Sequence, residues 1–412
     1  MKILYIHQYF KTRESSAGIR SYEFAKKLVE KGHTVTMLTG DSKLIINEKP
    51  FKKSIFINEY YIERIHVIAI KNKYSNYMSY SRRIISFLNF LFLSSLKSIF
   101  LKDYDVIYAT STPLTVGVPA LLIKKIKKTP YVFEVRDLWP EAPKQMGAIK
   151  SPVILKLLTK LEKTIYKNSS HIVALSPGME LGVRNSGIDK NDISMVPNCC
   201  DLDLFKTVKN KEFFINKFEL QNNLVVIHPG SMGSANGLEY LIKAAYYLKQ
   251  KNNNNVKFLL TGDGGTKPIL KKMCKNYRLN NVIFTGNIPK KSMPDLLAAC
   301  DLSITSFKNI PILATNSPNK FFDSLAAGLP TIVNSNGWTK EIVEKNDIGF
   351  YTDPKDPKRL AELLDDLSKM ESKILLKDMG NRARKLAESK YDRNKLALQV
   401  EKILCDVGAG NV

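Results

Sequence analysis

At 412 residues the chain exceeds what one hydrophobic core usually serves, which points to two domains of about 200 residues each. Its 44% apolar and 25% charged residues exclude a disordered or fibrous protein, and five cysteines without metal-ligand spacing exclude both a disulfide framework and a zinc module. The formal net charge of +24 points to an acidic partner.

In chain order, the opening "MKILYIHQYF" is a strand-like run without the apolar core and cleavage site of a signal peptide, so an unexported, cytoplasmic protein is expected. Short apolar runs then alternate with longer helical patterns, the signature of parallel sheets with crossover helices. The expected strands are "ILYIH", "TVTML", "HVIAI", "DVIYAT", "YVFEV", "HIVAL" and "ISMVP" in the first half. In the second half they are "LVVIHPG", "KFLLTG", "VIFTG", "LSITSF", "TIVNS" and "GFYTD", with 201–223 between the two sets lacking a strand run. The reading is α/β: two Rossmann-like, doubly wound domains facing a cleft, over 1–200 and 201–390, with a helix at 391–412 returning toward the first. Open sheets of this kind bind ligands beyond the carboxyl ends of their strands, which places the expected active site in that cleft.

The first 200 residues carry 31 Lys and Arg against 16 Asp and Glu, so much of the positive charge lies there. No basic stretch is interleaved with aromatics in the manner of a nucleic-acid module, and nucleic acid is set aside as a partner. Anionic lipid or a phosphate-bearing substrate accounts for the charge, as does a compositional bias toward tracts such as "KQKNNNNVK". The segment "RRIISFLNFLFLSSLKSIFL" (82–101) gathers Ser86, Asn89 and Lys97 on one side of an otherwise apolar helix. It is too interrupted to span a bilayer. Two readings stay open: an interfacial helix on an anionic membrane, with Phe90, Leu91 and Phe92 in the lipid, or a buried helix of the first domain.

Five motifs share an order and spacing: "AGIRSYEFAKKLVEKGHTVTMLTG" (17–40), "MVPNCCDLDLF" (195–205), "LTGDGG" (260–265), "NVIFTGNIP" (281–289) and "FFDSLAAGLP" (321–330). Together they resemble the retaining nucleotide-sugar glycosyltransferases of family 4, which have the GT-B fold. "VRDLWPE" (135–141), "GSMGSANGLE" (230–239) and "SPNKFFD" (317–323) resemble the bacterial branch that builds O-antigen and capsule repeats, N-acetyl-L-fucosamine transferases among them. The resemblance implies transfer of a hexose or N-acetylamino sugar from a nucleotide donor, UDP-linked in most of the family, to a polyprenyl-diphosphate-linked saccharide. It also implies an enzyme peripheral on the inner face of the cell membrane. A sugar-nucleotide 2-epimerase of the same fold, which needs no acceptor, and a non-catalytic saccharide-binding protein, which needs no nucleotide, stay open as alternatives.

A diphosphate leaving group needs hydrogen-bond donors, and a ribose needs an acceptor. In "SPNKFFD" the loop residues Ser317 and Asn319, with Lys320 and the positive end of the following helix, can supply donors, and Asp323 can accept from vicinal hydroxyls. The family places two glutamates around this loop; Asp323 stands at the second position and Thr315, without a carboxylate, at the first. Backbone amides at Gly230, Ser231, Gly233 and Ser234 are expected to face phosphate, since the family's usual Arg and Lys are replaced by Ser231 and Asn236. The resemblance further assigns Gly264 and the main chain of Asn287 and Ile288 to the nucleotide base, and Gly18 and Arg20 of "SAGIR" to the donor phosphate.

Arg136 and Asp137 follow the strand "YVFEV" and replace a histidine common in the family. Asp137 is the first choice for the group that takes the acceptor's proton, with Glu134 and Glu14 behind it, and the leaving phosphate can share that role. No cofactor and no catalytic metal are expected. "DLD" at 201–203 imitates an Asp-x-Asp metal site but lies where Asp203 reads as a turn or capping residue. Cys199 and Cys200 read as buried thiols.

Overall fold

The structure is a computed structural model that describes residues 1–15, 18–46, 48–73, 78 and 80–410. It divides into two compact units, one of residues 1–197, 315–317 and 394–412, the other of 198–314 and 318–393.

In the first unit the strands are β1 (Lys2–Ile6), β2 (Thr34–Gly40), β3 (Lys52–Lys53), β4 (Ile57–Ile62), β5 (Ile65–Ile70), β6 (Val106–Thr110), β7 (Tyr131–Val135), β8 (His171–Ala174) and β9 (Ile193–Met195). They form one sheet in the order β3-β4-β5-β2-β1-β6-β7-β8-β9. From β5 to β9 every pairing is parallel, while β4 runs antiparallel to β5, and β3 to β4. The antiparallel edge is absent from the sequence reading for a physical reason. Glu63 and Arg64, at φ 45° and 66°, make a two-residue hairpin turn that normally advertises itself by Asn-Gly or Asp-Gly.

The second unit holds β10 (Leu224–Pro229), β11 (Val256–Thr261), β12 (Val282–Gly286), β13 (Leu302–Thr305), β14 (Thr331–Val333) and β15 (Gly349–Tyr351). They pair in parallel, in the order β12-β11-β10-β13-β14-β15. Alternate residues of β10 feed opposite layers: Val225 and Ile227 join Phe321, Phe322 and Leu325, whereas Leu224 and Val226 join Leu241 and Ala245. A strand covered on both faces must be apolar throughout, which is why these runs lack the alternation of a half-exposed sheet. Strand order reverses direction at β1 in one sheet and at β10 in the other, so the loops leaving those strands sit at switch points, where open sheets bind ligands.

One helix of the first unit, Tyr80–Ile99, is packed inside out. Its polar side faces the protein: Ser86 Oγ donates to Asn72 Oδ1 at 3.1 Å, Asn89 Nδ2 to the Lys71 carbonyl at 3.3 Å, and Lys97 Nζ to Glu59 Oε1 at 3.2 Å. Its outer side exposes Ile85, Leu88, Phe92 and Leu96, with Phe92 67% accessible. Phe90, expected among the lipid-facing residues, is instead fully buried in the protein. Among the described residues no helix is long and apolar enough to cross a membrane.

Candidate functional site

The loop after β10 is built against the loop after β11. Gly230 N donates to the Thr261 carbonyl at 3.0 Å and Met232 N to the Asp263 carbonyl at 2.9 Å, while Thr266 N and Oγ1 both reach the Met232 carbonyl. A Cβ on Gly262, at φ +111°, would stand 2.3 Å from the Gly230 oxygen, and one on Gly264 2.5 Å from the Met232 oxygen. Those glycines therefore let two backbones meet. For Gly264 this is a packing role, beside the base contact the resemblance implied. Ser231 and Ser234 lie on the exposed rim of the first loop, and Gly230 and Gly233 are half-buried.

Beneath that loop sits Lys320, on the first turn of the helix Asn319–Ala326. Its Nζ lies 2.5 Å from Asn236 Oδ1, 3.3 Å from His228 Nε2 and 5.4 Å from the centre of the Phe307 ring. Burial lowers its pKa to about 7. The structure thus brings Gly230, Ser231, Gly233, Ser234 and Lys320 together at the switch-point end of the second sheet. An amine held in low dielectric beneath a glycine turn attracts an anion far more strongly than one in water.

Asp323, one turn further along the helix, points to a different partner. Both its oxygens lie 2.6 Å from Lys290 Nζ, and the two side chains are 16% and 12% accessible. Lys290 follows the β12 loop in which Asn287 is exposed and Ile288 packs on the core, so Asp323 and the implied base contacts are neighbours through this ion pair. Asn319 is half-buried at the start of the same helix. Ser317 is buried and belongs to the first unit.

In the first unit, Thr112 Oγ1 donates to Asp137 Oδ2 at 2.5 Å. Burial raises the Asp137 pKa, opposed by that hydrogen bond and by the Arg136 charge. A carboxylate of raised pKa is the stronger base. Arg136 is anchored through its backbone amide, which donates to Ser111 Oγ at 2.9 Å. His7, which sequence reasoning passed over, is buried at the end of β1, with Nδ1 2.8 Å from Ser21 Oγ. Burial first, then the charges of Arg136 and Lys11, keep its pKa well below the ordinary value.

Arg20 corrects an expectation. Its side chain is 1% accessible, with Nε 2.9 Å from Glu134 Oε1, Nη1 2.5 Å from the Pro197 carbonyl and Nη2 2.9 Å from the Val196 carbonyl. It ties its helix to β7 and to the segment after β9, and is not presented to an anion. Glu134 accepts in turn from Tyr108 Oη at 2.6 Å and from Thr110 Oγ1. Burial would raise the Glu134 pKa, but the charges of Arg20 and Arg136 and these hydrogen bonds hold it below the ordinary value. Gly18 is exposed, but the rest of its turn, residues 16–17, lies outside the described residues. Glu14 is exposed.

Asp203 lies in a turn, as expected, while the side-chain cap comes from two residues earlier. Asp201 Oδ1 accepts from Leu204 N at 3.0 Å and pairs with Arg393, while Asp203 caps nothing with its side chain. Cys200 is buried, its Sγ 3.1 Å from the Phe322 carbonyl, and Cys199 is only half-buried. Sequence reasoning missed His228 and Lys290. The signal for each was present, a histidine ending an otherwise apolar strand and a lysine following the "GNIP" loop.

Two family models match end to end: Glycosyltransferase Family 4 over residues 17–204 and Glycosyl transferases group 1 over 209–386. WbjE of Pseudomonas aeruginosa, named as a probable glycosyltransferase, is 24% identical over 70% of this chain and 71% of its own length. WcaI of Escherichia coli K12, a candidate colanic acid biosynthesis glycosyl transferase, is 24% identical over 53% of this chain and 54% of its own. Among solved structures, HepE of Anabaena, determined in complex with UDP and glucose, superposes with a TM-score of 0.71 at 19% identity, covering 98% of this chain and 100% of HepE. Two α/β units with switch points at β1 and β10, and matches that run through both, make this chain a member of the family 4 glycosyltransferases with the GT-B fold.

Proposed function

We propose that this glycosyltransferase works in bacterial surface-polysaccharide synthesis, moving a hexose or N-acetylamino sugar, with retention, from a UDP-sugar to a polyprenyl-diphosphate-linked saccharide. The observation that carries the donor half is Lys320, half-buried beneath the glycine loop after β10 with its Nζ on Asn236 and His228. The UDP complex of the similarly folded HepE and the colanic acid assignment of WcaI support the substrate classes. Neither supports the 2-epimerase reading.

In this reading the bond from the anomeric carbon to the donor's β-phosphate oxygen breaks as an acceptor hydroxyl oxygen bonds that carbon on the same face. The hydroxyl proton passes to Asp137 or to the leaving phosphate. Lys320, the loop amides and the helix end stabilise the charge that develops on the diphosphate, which is the term fixed donors serve best. With that cation in place, a divalent metal is not required. The inside-out helix Tyr80–Ile99 supports the acceptor half, because an exposed apolar stripe suits a membrane surface in which a polyprenyl lipid resides.

The test offers isotope-labelled UDP-, GDP- and dTDP-sugars, with and without EDTA, alongside extracted polyprenyl-diphosphate saccharides. Label from a UDP-sugar should enter the lipid fraction at equal rates with and without chelator. Labelled, epimerised free sugar nucleotide formed without acceptor would overturn the transferase reading, and loss of turnover in EDTA restored by magnesium would overturn metal independence.

A further inference from the structure

We infer that His228 and Asn236 are positioning residues that aim the Lys320 ammonium at the glycine turn where the donor diphosphate lies. The inference rests on the proposed role of Lys320 as the diphosphate contact and adds how that contact is held.

Each partner is itself locked by a main-chain carbonyl. His228 Nδ1 lies 3.2 Å from the Ile304 carbonyl oxygen, which can only accept, so Nδ1 carries the proton and Nε2 presents a lone pair, 3.3 Å from Lys320 Nζ. Asn236 Nδ2 donates to the Ser231 carbonyl at 2.8 Å, and this sets the amide with Oδ1 toward Nζ at 2.5 Å. Neither acceptor can turn away without abandoning its main-chain carbonyl partner.

The imidazole is fully buried, and the groups facing it are the Lys320 ammonium and the carbonyls of Ile304 and Ser231. Burial and then the Lys320 charge hold its pKa well below the ordinary value, against the two carbonyls, so it stays a neutral acceptor through the physiological range. An ammonium has three donors. Two are directed to His228 and Asn236, which leaves one for a ligand. On the loop side Gly230 has no side chain to occupy that approach: a Cβ there would sit 3.6 Å from Nζ and 3.7 Å from His228 Nε2. The sequence "HPGSMGSAN" thus delivers a fixed acceptor, an open approach and a second fixed acceptor within nine residues.

The experiment measures UDP binding by calorimetry across pH, with GDP as a second probe, on wild type and on His228→Asn, His228→Gln, Asn236→Leu, Lys320→Ala and the His228→Asn/Lys320→Ala double variant. Asn retains the reach to the Ile304 carbonyl and loses that to Nζ, whereas Gln retains an acceptor near the Nε2 position. His228→Asn should weaken UDP about tenfold and move the pH midpoint of binding upward as Lys320 loosens into water, and His228→Gln should recover most of the affinity. The double variant should bind no worse than Lys320→Ala alone, because residues acting through one group are not additive. If the histidine variants fail to fold, Asn236→Leu on the loop carries the same expectation. Wild-type UDP affinity and pH midpoint in His228→Asn or Asn236→Leu, with Lys320→Ala impaired, would overturn the positioning role. So would a histidine effect that persists in full on the Lys320→Ala background. Wild-type affinity in Lys320→Ala would instead defeat the underlying reading of the diphosphate site.

Discussion

Asp323 holds the Lys290 ammonium within 2.6 Å of both carboxylate oxygens, while Lys320, on the same helix, turns to His228 and Asn236. One helix therefore sends an acid and a base to separate partners, one toward the β12 loop and the other beneath the β10 loop. A carboxylate has about four acceptor positions, so the lysine leaves room for two ribose hydroxyls. Asp323→Asn should raise the donor KM about ten- to a hundredfold with kcat nearly unchanged, since a ribose contact is the same in ground and transition states. Steady-state kinetics with varied donor checks this; an equal fall in kcat and kcat/KM would put Asp323 in the chemical step.

Lys320 makes a prediction about pH and stability. Its folded pKa is lowered to about 7, below the ordinary lysine value, so between those two values the unfolded chain binds more protons than the folded one. The destabilisation is complete below about pH 7 and is relieved as pH rises toward about 10. Lys320→Met should therefore melt above wild type near pH 6, and the gap should shrink as pH rises. Thermal melts from pH 6 to 10 decide it; a gap that widens with pH would contradict the assignment.

The outer face of Tyr80–Ile99 gives a membrane prediction. Ile85→Ser, Leu88→Ser and Phe92→Ser together should abolish partition onto anionic liposomes, each side chain withdrawn costing about 1.5 to 3 kcal/mol if fully immersed. The melting temperature should hold, because all three are exposed in the free protein. Phe90→Ser should instead unfold the first unit. Unchanged liposome binding in the triple variant would rule out this face.

The Arg20–Glu134 pair predicts a purely structural effect. Arg20→Met leaves a buried carboxylate without its cation and should cost about 3 to 5 kcal/mol of stability. UDP affinity of the folded fraction should match wild type. Calorimetric melts with UDP titration test both parts, and a stable Arg20→Met with weakened UDP binding would return Arg20 to the donor site.

The parallel strands were legible because strands buried on both faces must be apolar throughout, and "LVVIH", "KFLLT" and "YVFEV" announce themselves. The hairpin of β4 and β5 was not, because its left-handed turn is made by Glu63 and Arg64. Residue type also could not reveal which side of Tyr80–Ile99 faces inward: Ser86, Asn89 and Lys97 read as the wet side until Asn72, Lys71 and Glu59 are seen to receive them. At the site, Lys320 and the glycine loop were readable from local chemistry. The partners of Arg20, Asp323 and Lys320 come from segments distant in sequence, Glu134, Lys290 and His228, and only folding brings them in.

The central claim, that the β10 loop and Lys320 form a nucleoside-diphosphate site, is tested most directly by thermal shift with UDP and UDP-sugars on wild type and Lys320→Ala. A ligand at a hundredfold excess over its Kd adds about 2.7 kcal/mol to folded-state stability, a clear rise in Tm. The account predicts that rise in wild type and its loss or near-loss in Lys320→Ala at the same ligand concentration. Equal stabilisation of both proteins, or no stabilisation of wild type by any nucleotide or sugar nucleotide, would contradict it.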